Sequence, residues 1–198
     1  MSNFKVKDHY FHKAKKDNFL ARSVYKLEEI DERFKIIKKN DQIIDLGYHP
    51  GSWIQYTSEK IGKDGIVIGA DIKEINNKLL NLPNVRLFQK DVFAIEKVME
   101  LGVSEQFDVV LSDMAPNTTG IQSVDQIRSL NLVEMVFSLL PIFLKPGGNL
   151  VIKVFESNEA QLFLKTQKKH FLEFHNLRPK SVRSVSKEYF VIGKNFRP

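Results

Sequence analysis

A lysine stands in the middle of an apolar run. Residues 150–155 read Leu-Val-Ile-Lys-Val-Phe and follow a Pro146-Gly147-Gly148 turn. Large apolar neighbours on both sides suit a central strand covered on both faces. A buried, unpaired ammonium is costly, so Lys153 needs carboxylates beside it, a chemical task, or both. The plain alternative is an edge strand that turns Lys153 to water. A lysine moved out of water can also lose its proton and act as a base. Gly47, Asp71, Asp91 and Asp113 fall, like Lys153, at or near the exits of runs that read as strands. One such residue means little, but five in order outline a site.

The segment Asp45-Leu-Gly47-Tyr-His-Pro-Gly51-Ser-Trp53 joins the first of these strands to a helix. Gly47 permits a tight turn and close backbone approach. Gly51 precedes a helix whose first amides favour an electronegative group. Asp71, about twenty residues on, is spaced to accept hydrogen bonds from ribose hydroxyls. Asp91 suits an adenine amino group, or the N-cap of a helix that starts at Val92, or both. This spacing fits both dinucleotide and S-adenosyl-methionine sites. No Gly-Lys-Ser/Thr follows, so it is not a phosphate loop, and Tyr48 and His49 break the G-x-G-x-x-G pattern, which disfavours a dinucleotide. Trp53 is the only tryptophan, and its plain role is to pack the first helix on the sheet. His49 reads as a loop side chain, and no spacing of histidines and carboxylates suggests a metal site.

These residues need a scaffold. Val24, Leu27, Ile30 and Phe34 share one face of a helix near Ser23–Phe34, and Lys26 lies off that stripe. Strands are then expected at Gln42–Leu46, Gly65–Ala70, Asn84–Phe88, Phe107–Leu111 and Asn149–Phe155. Helices alternate with them at Ser52–Ile61, from Lys90-Asp91 to about Leu101, at Val124–Leu144 and near Glu159–His170. Pro141 should kink the long helix or end it early. Two late strands, Leu172–Leu177 and Glu188–Ile192, complete seven. Alternation of this kind implies an α/β fold, a mostly parallel, doubly wound sheet that binds ligands where strand order reverses.

At 198 residues the chain fits one domain with a sizeable core, and a basic helical N-terminal extension occupies about residues 1–35. The absence of cysteine excludes disulfides, thiolate zinc sites and thiol nucleophiles. The basic start lacks a signal peptide's apolar stretch, and no apolar run reads as membrane-spanning, so a cytoplasmic protein without a membrane is expected. Residues 1–26 hold seven Lys/Arg against two Asp/Glu, and residues 165–198 nine against two, around an acidic centre. Basic ends of this kind suit a polyanion or are simply solvated lysine. No interface signature is visible, so a monomer is expected.

Five segments resemble the FtsJ/RrmJ family of ribose 2′-O RNA methyltransferases. They are Ala21–Ile30, Asp45–Trp53, Ser112-Asp-Met-Ala-Pro-Asn117, Val151-Ile-Lys-Val-Phe155 and Ser186-Lys-Glu-Tyr189. The resemblance covers about Asp8–Ile192. It implies a Rossmann-like class I methyltransferase fold, S-adenosyl-methionine as methyl donor, and a Lys-Asp-Lys-Glu tetrad on Lys26, Asp113, Lys153 and Glu188. It puts donor binding on Gly51, Trp53, Asp71, Asp91 and again Asp113, beside the Gly47 turn. It implies RNA as partner, a uridine of large-subunit ribosomal RNA first and transfer RNA as the alternative. A non-catalytic RNA-binding or ribosome-assembly factor is the reading from a different class. Tyr48-His49 and Ser52 depart from the family's Ala-Ala and second glycine, which puts the shape of the donor pocket in question.

Transfer to a ribose 2′-hydroxyl needs the oxygen held in line behind the methyl carbon and a group to take its proton. Lys153 is the candidate base, helped by burial and by the like charge of Lys26, with Asp113 and Glu188 orienting both ammonium groups. Alternatively Lys153 stays charged, steers the hydroxyl and stabilises the developing oxyanion. Lys13, Lys15, Lys16 and Arg22 on one side, and Arg178, Lys180 and Arg183 on the other, are expected at RNA phosphates.

Overall fold

The computed structural model describes residues 9–116 and 119–198, so Asn117 of the Ser112–Asn117 motif and residues 1–8 of the basic extension lie outside the described residues. The chain enters through α1 (His9–Lys16) and α2 (Val24–Phe34) and then alternates: β1 (Gln42–Leu46), α3 (Ser52–Ile61), β2 (Ile66–Asp71), β3 (Val85–Gln89), β4 (Phe107–Ser112), α4 (Gln122–Phe143), β5 (Leu144–Phe155) and α5 (Asn158–Gln167). Strands β6 (Phe171–Leu177) and β7 (Glu188–Phe196) close the chain. The expected bounds of β1 and α3 match those observed, and the other strands agree to within a few residues.

Among the described residues the strands form one seven-stranded sheet in the order β3-β2-β1-β4-β5-β7-β6. The β1–β2, β2–β3, β1–β4 and β4–β5 pairs are parallel, and only β7 runs against its neighbours. The chain builds outward from β1 to β3, then returns to lay β4 on the other side of β1. Loops at that reversal diverge to opposite faces and leave a crevice at the carboxyl ends of β1 and β4.

Apolar side chains alternate along the strands and bury both faces. Ile43, Val67, Val109, Leu111 and Val151 pack under α1, α2 and α3, whereas Ile44, Ile68, Val110, Ile152 and Val154 pack under α4 and α5. By this alternation Asp45 and Lys153 face the α2/α3 side.

Three expectations are corrected. The helix expected up to Leu101 is instead two short 3₁₀ turns, Val92–Ala94 and Val98–Leu101. Glu100 Oε1 accepts the amides of Glu96 and Lys97 at 2.9 and 3.1 Å, and this side-chain capture replaces a continuous helical ladder. Helix α4 runs through Pro141 to Phe143. The proline falls in the last turn, so it removes only its own N–H bond back to the preceding turn, and the helix ends two residues later. Finally, Ser123–Phe143 is long and apolar enough to cross a membrane by length and composition alone. Its apolarity has a structural reason, because Val133, Val136, Phe137, Leu140 and Phe143 are core residues against the sheet.

Asp31 locks α2 in place. Its carboxylate is 4% exposed and accepts the Ile37 amide at 2.9 Å and the Tyr56 hydroxyl of α3 at 2.9 Å. Asp31→Ala strands both donors, each worth about 1–3 kcal/mol when buried unpaired. We expect it to lower stability by about 2–4 kcal/mol, read as a lower urea midpoint at an unchanged denaturant slope.

Candidate active site

Lys153 lies in β5 with a strand on each side: Ile152 is level with Ser112 of β4, and Lys153 faces Phe190 of β7. It is 8% exposed, so the edge-strand reading fails. Its Nζ donates to the Asp113 carbonyl at 2.6 Å and stands 3.1 Å from Asp113 Oδ1. Asp113 follows directly on the last residue of β4. Its other carboxylate oxygen is 3.5 Å from Lys26 Nζ, which stands 2.7 Å from Glu188 Oε1. The four residues thus form one chain of alternating charge, Lys153–Asp113–Lys26–Glu188, drawn from β5, the end of β4, α2 and the start of β7.

Lys26 comes from the polar flank of the α2 stripe, as its sequence position implied, and its Nζ lies 5.4 Å from the centre of the Phe190 ring. Burial pulls its pKa down. The charges and hydrogen bonds of Asp113 and Glu188 outweigh that and hold it above the ordinary 10.5. Lys26 is therefore a fixed cation at neutral pH.

Beside this chain, a cleft of about 640 Å³ opens where strand order reverses. Gly47, Asp71, Asp91 and Asp113 line it, with His49 from the turn. Gly47 adopts φ 71°, and a Cβ there would collide with Met114 Cγ, so the turn requires glycine. Asp71 accepts the amides of His49 and Lys73, each at 2.9 Å. Asp91 caps the turn after it, accepting the Phe93 amide at 3.0 Å, and lines the cleft as well.

Gly51 and Trp53 are not among the cleft-lining residues. Trp53 is buried. Its Nε1 donates to the Ser23 carbonyl at 2.8 Å, and its ring lies 5.8 Å from that of Phe190. Its side chain therefore joins α3 to the start of α2. Gly51 is the N-cap of α3 and supplies no capping side chain, which leaves the first-turn amides without a local side-chain partner. Of the departures noted in the turn, Tyr48 points into the core, close against Gly69, and only His49 reaches the cleft.

Several site residues escaped sequence reasoning. Ile72, Val92, Phe93 and Met114 give the cleft apolar walls, and Arg128 of α4 closes one side. Asp45, at the end of β1, carried a signal that went unused, since it is an acid in an apolar strand. It is 2% exposed, and its Oδ2 has no hydrogen-bond partner among the described residues.

The basic ends of the chain meet next to the tetrad. The Arg22 guanidinium donates to the Ser181 carbonyl. Tyr10, Arg22, Lys180, Val182 and Arg183 line a hollow of about 290 Å³ there.

Residues 19–196 match the FtsJ-like methyltransferase family. The chain is 42% identical over 190 residues to ribosomal RNA large subunit methyltransferase E of Bdellovibrio bacteriovorus, covering 96% of this chain and 97% of that one. It is 45% identical to the protein of the same name from Oleidesulfovibrio alaskensis, over 98% of this chain and 93% of that one. Among solved structures, a ribosomal RNA methyltransferase from Plasmodium falciparum superposes with a TM-score of 0.77 at 26% identity, over 90% of this chain and 98% of that one. Aeropyrum pernix fibrillarin, solved with bound S-adenosyl-L-methionine, shares the fold at a TM-score of 0.62 and 18% identity, over 80% of this chain and 68% of that one.

Burial, reinforced by Asp113 and Asp71, raises the Asp45 pKa well above the ordinary 3.8. The folded protein then keeps a proton that the unfolded chain releases, so this group favours folding below about 3.8 and loses that advantage as pH rises through its folded value. Asp45→Asn removes the linkage. In urea unfolding from about pH 4 to pH 8, the stability difference should move steadily in the variant's favour. A difference that stays flat means that Asp45 ionises as freely folded as unfolded.

Proposed function

The chain belongs to the FtsJ-like methyltransferase family, and we propose that it transfers a methyl group from S-adenosyl-methionine to a ribose 2′-hydroxyl of large-subunit ribosomal RNA, with Lys26, Asp113, Lys153 and Glu188 as its catalytic residues. The observation that carries this reading is the unbroken ion chain beside the cleft. A protein that only bound RNA would have no use for a lysine buried against two acceptors. The curated relatives carry the name ribosomal RNA large subunit methyltransferase E, which favours ribosomal over transfer RNA.

The cleft suits the methyl donor. Its volume is in the range of small-molecule sites, and apolar walls at Ile72, Val92 and Phe93 suit an adenine ring. Asp71 is placed for the ribose hydroxyls and Asp91 for the adenine amino group. Three acids, Asp71, Asp91 and Asp113, line it and suit a cation. Gly51 and Trp53 act on the donor site from outside the cleft lining, by setting the start of α3 next to the turn at Gly47. Bound there, S-adenosyl-methionine supplies an electrophilic methyl group on a sulfonium sulfur.

The chain's own residues do the rest. Lys153 holds the 2′-hydroxyl at the edge of the cleft, with its Nζ position fixed by the Asp113 carbonyl and carboxylate. As the new O–C bond forms, the hydroxyl proton must leave, and Lys153 Nζ receives it in its neutral amine form, becoming the ammonium. Lys26 stays cationic between Asp113 and Glu188 and steadies the developing negative charge on the oxygen. The hollow at Arg22 and Arg183 takes backbone phosphates, which positions the strand without reading its bases. All four catalytic residues come from one chain, so a single copy acting in the cytoplasm suffices.

Lys153→Ala should lower methyl transfer by about 10²–10⁴-fold while S-adenosyl-methionine affinity, measured calorimetrically, stays within a few-fold of wild type. Arginine cannot give up its proton, so Lys153→Arg should be equally inactive if Lys153 takes the proton. Ribose methylation mapped in total RNA from cells carrying either variant should lose a mark in large-subunit ribosomal RNA. Undiminished methylation at every site in the Lys153→Ala strain would sink the catalytic assignment.

A further inference from the structure

A second basic cleft lies on the opposite face of the sheet from the tetrad. It occupies about 600 Å³ between α5 and strands β6 and β7. Lys165 lines it from α5, Lys168 from the turn that follows α5, and Arg178 and Lys187 from the segment joining β6 to β7. Its floor includes Phe174 and Tyr189, with Asn176 at its side, and Glu156 is its one acid. Lys165, Lys168 and Lys187 have no ion-pair partner among the described residues. The Arg178 guanidinium is used differently. It donates to the carbonyls of Ser186, Arg183 and Glu188 at 2.5, 3.3 and 3.5 Å and so pins the segment that carries Lys187.

The position of the cleft follows from the topology. Strand β7 is antiparallel to β5 and to β6, so β6 ends, and β7 begins, at the end of the sheet where Lys153 and Asp113 lie. Glu188 and Tyr189 are consecutive residues at that start. Their side chains point to opposite faces, Glu188 to the tetrad and Tyr189 into the cleft. The cleft therefore begins one residue from the site and runs away from it along α5, from Gln161 towards Lys168.

We propose that this cleft is a second RNA-binding track, which holds the phosphates of the substrate strand after it leaves the catalytic site. The inference rests on the RNA-methyltransferase reading above and extends it. A ribose presented to the tetrad belongs to a strand that continues in both directions. The hollow at Arg22 and Arg183 takes one direction, and the α5 cleft provides a path for the other. Unpaired cations beside half-buried aromatic rings match a polyanion with stacking faces. An acidic protein segment is the competing occupant, but such a surface more often presents an apolar anchor pocket, and here cations dominate the rim.

The test compares the full chain with Lys165→Gln/Lys168→Gln and with the charge-conserving Lys165→Arg/Lys168→Arg. The probes are protein-free large-subunit ribosomal RNA and intact large subunits, both from cells lacking the gene. Thermal unfolding and calorimetric S-adenosyl-methionine affinity check that all three proteins are folded. The glutamine variant should bind naked RNA about three- to ten-fold more weakly near physiological salt. The slope of log affinity against log salt should fall by about 1.4, or about 0.7 for each single-strand phosphate that is no longer neutralised. Its kcat at saturating RNA should stay within about two-fold while KM rises, and the arginine variant should match wild type. If wild type binds and methylates RNA and the glutamine variant keeps its affinity and salt slope, the track is refuted and the catalytic reading stands. If the variant keeps naked RNA but loses intact subunits, the cleft takes an acidic protein and the track is refuted too. If wild type neither binds nor methylates RNA, both readings fall together.

Discussion

Two ammonium groups share one carboxylate. Asp113 offers one oxygen to Lys153 and the other to Lys26, and Glu188 holds Lys26 from its far side. Removing one partner of a buried ion pair typically costs about 3–5 kcal/mol, because it leaves the other charge uncompensated. The four residues are therefore stable only when all are present, and the fold must deliver four segments to one point. Strands β4 and β5 run parallel and bring Asp113 and Lys153 to the same end of the sheet. Helix α2 covers the same face and lowers Lys26 onto it. Strand β7 has to run backwards. An antiparallel strand begins where its parallel neighbours end, and only that direction puts its first residue, Glu188, beside their last. The single reversed strand is thus a requirement of the site.

Charge is sorted around this point. The donor cleft gathers carboxylates, Asp71 and Asp91 among them, and suits a cationic methyl donor. The outer surfaces, α1, the turn after α5 and the segment between β6 and β7, gather lysine and arginine and suit a polyanion. Asp113 belongs to both regions, since it lines the cleft and anchors the two lysines. A methyl group moving from donor to ribose must cross the boundary between them, and the boundary lies where Lys153 and Asp113 meet.

What the sequence disclosed depended on range. Short-range signals were legible: β1 runs apolar into the Gly47 turn, and α3 begins after Gly51, so both elements appear at their expected bounds. Lys153 could be read as costly because its own neighbours are apolar. The same reasoning applied to Asp45 would have found a second buried ionisable group. Long-range facts were not legible. Glu188 read in isolation is a surface residue on a late strand, and what buries it is Lys26, far away in sequence. Trp53 read as a cofactor residue by resemblance, but the Ser23 carbonyl, 30 residues away, holds its ring elsewhere. The 92–101 stretch has helical composition, yet the Glu100 side chain captures the amides that a helix would have needed.

The start of β7 carries one more constraint. Side chains alternate along a strand, so Glu188 and Phe190 face Lys26 while Tyr189 faces the basic cleft beside α5. A slip of one residue would put Tyr189 against the Lys26 ammonium and Glu188 among the lysines of the cleft. Both surfaces would fail at once. The register is held from both sides, with Phe190 opposite Lys153 on β5 and opposite Leu177 on β6, and Arg178 adds a clamp on the carbonyl of Glu188 itself. Placing the tetrad's acid and shaping the cleft behind it are therefore one structural event, in which the pairing that secures the chemistry also sets the surface proposed to guide the RNA away from it.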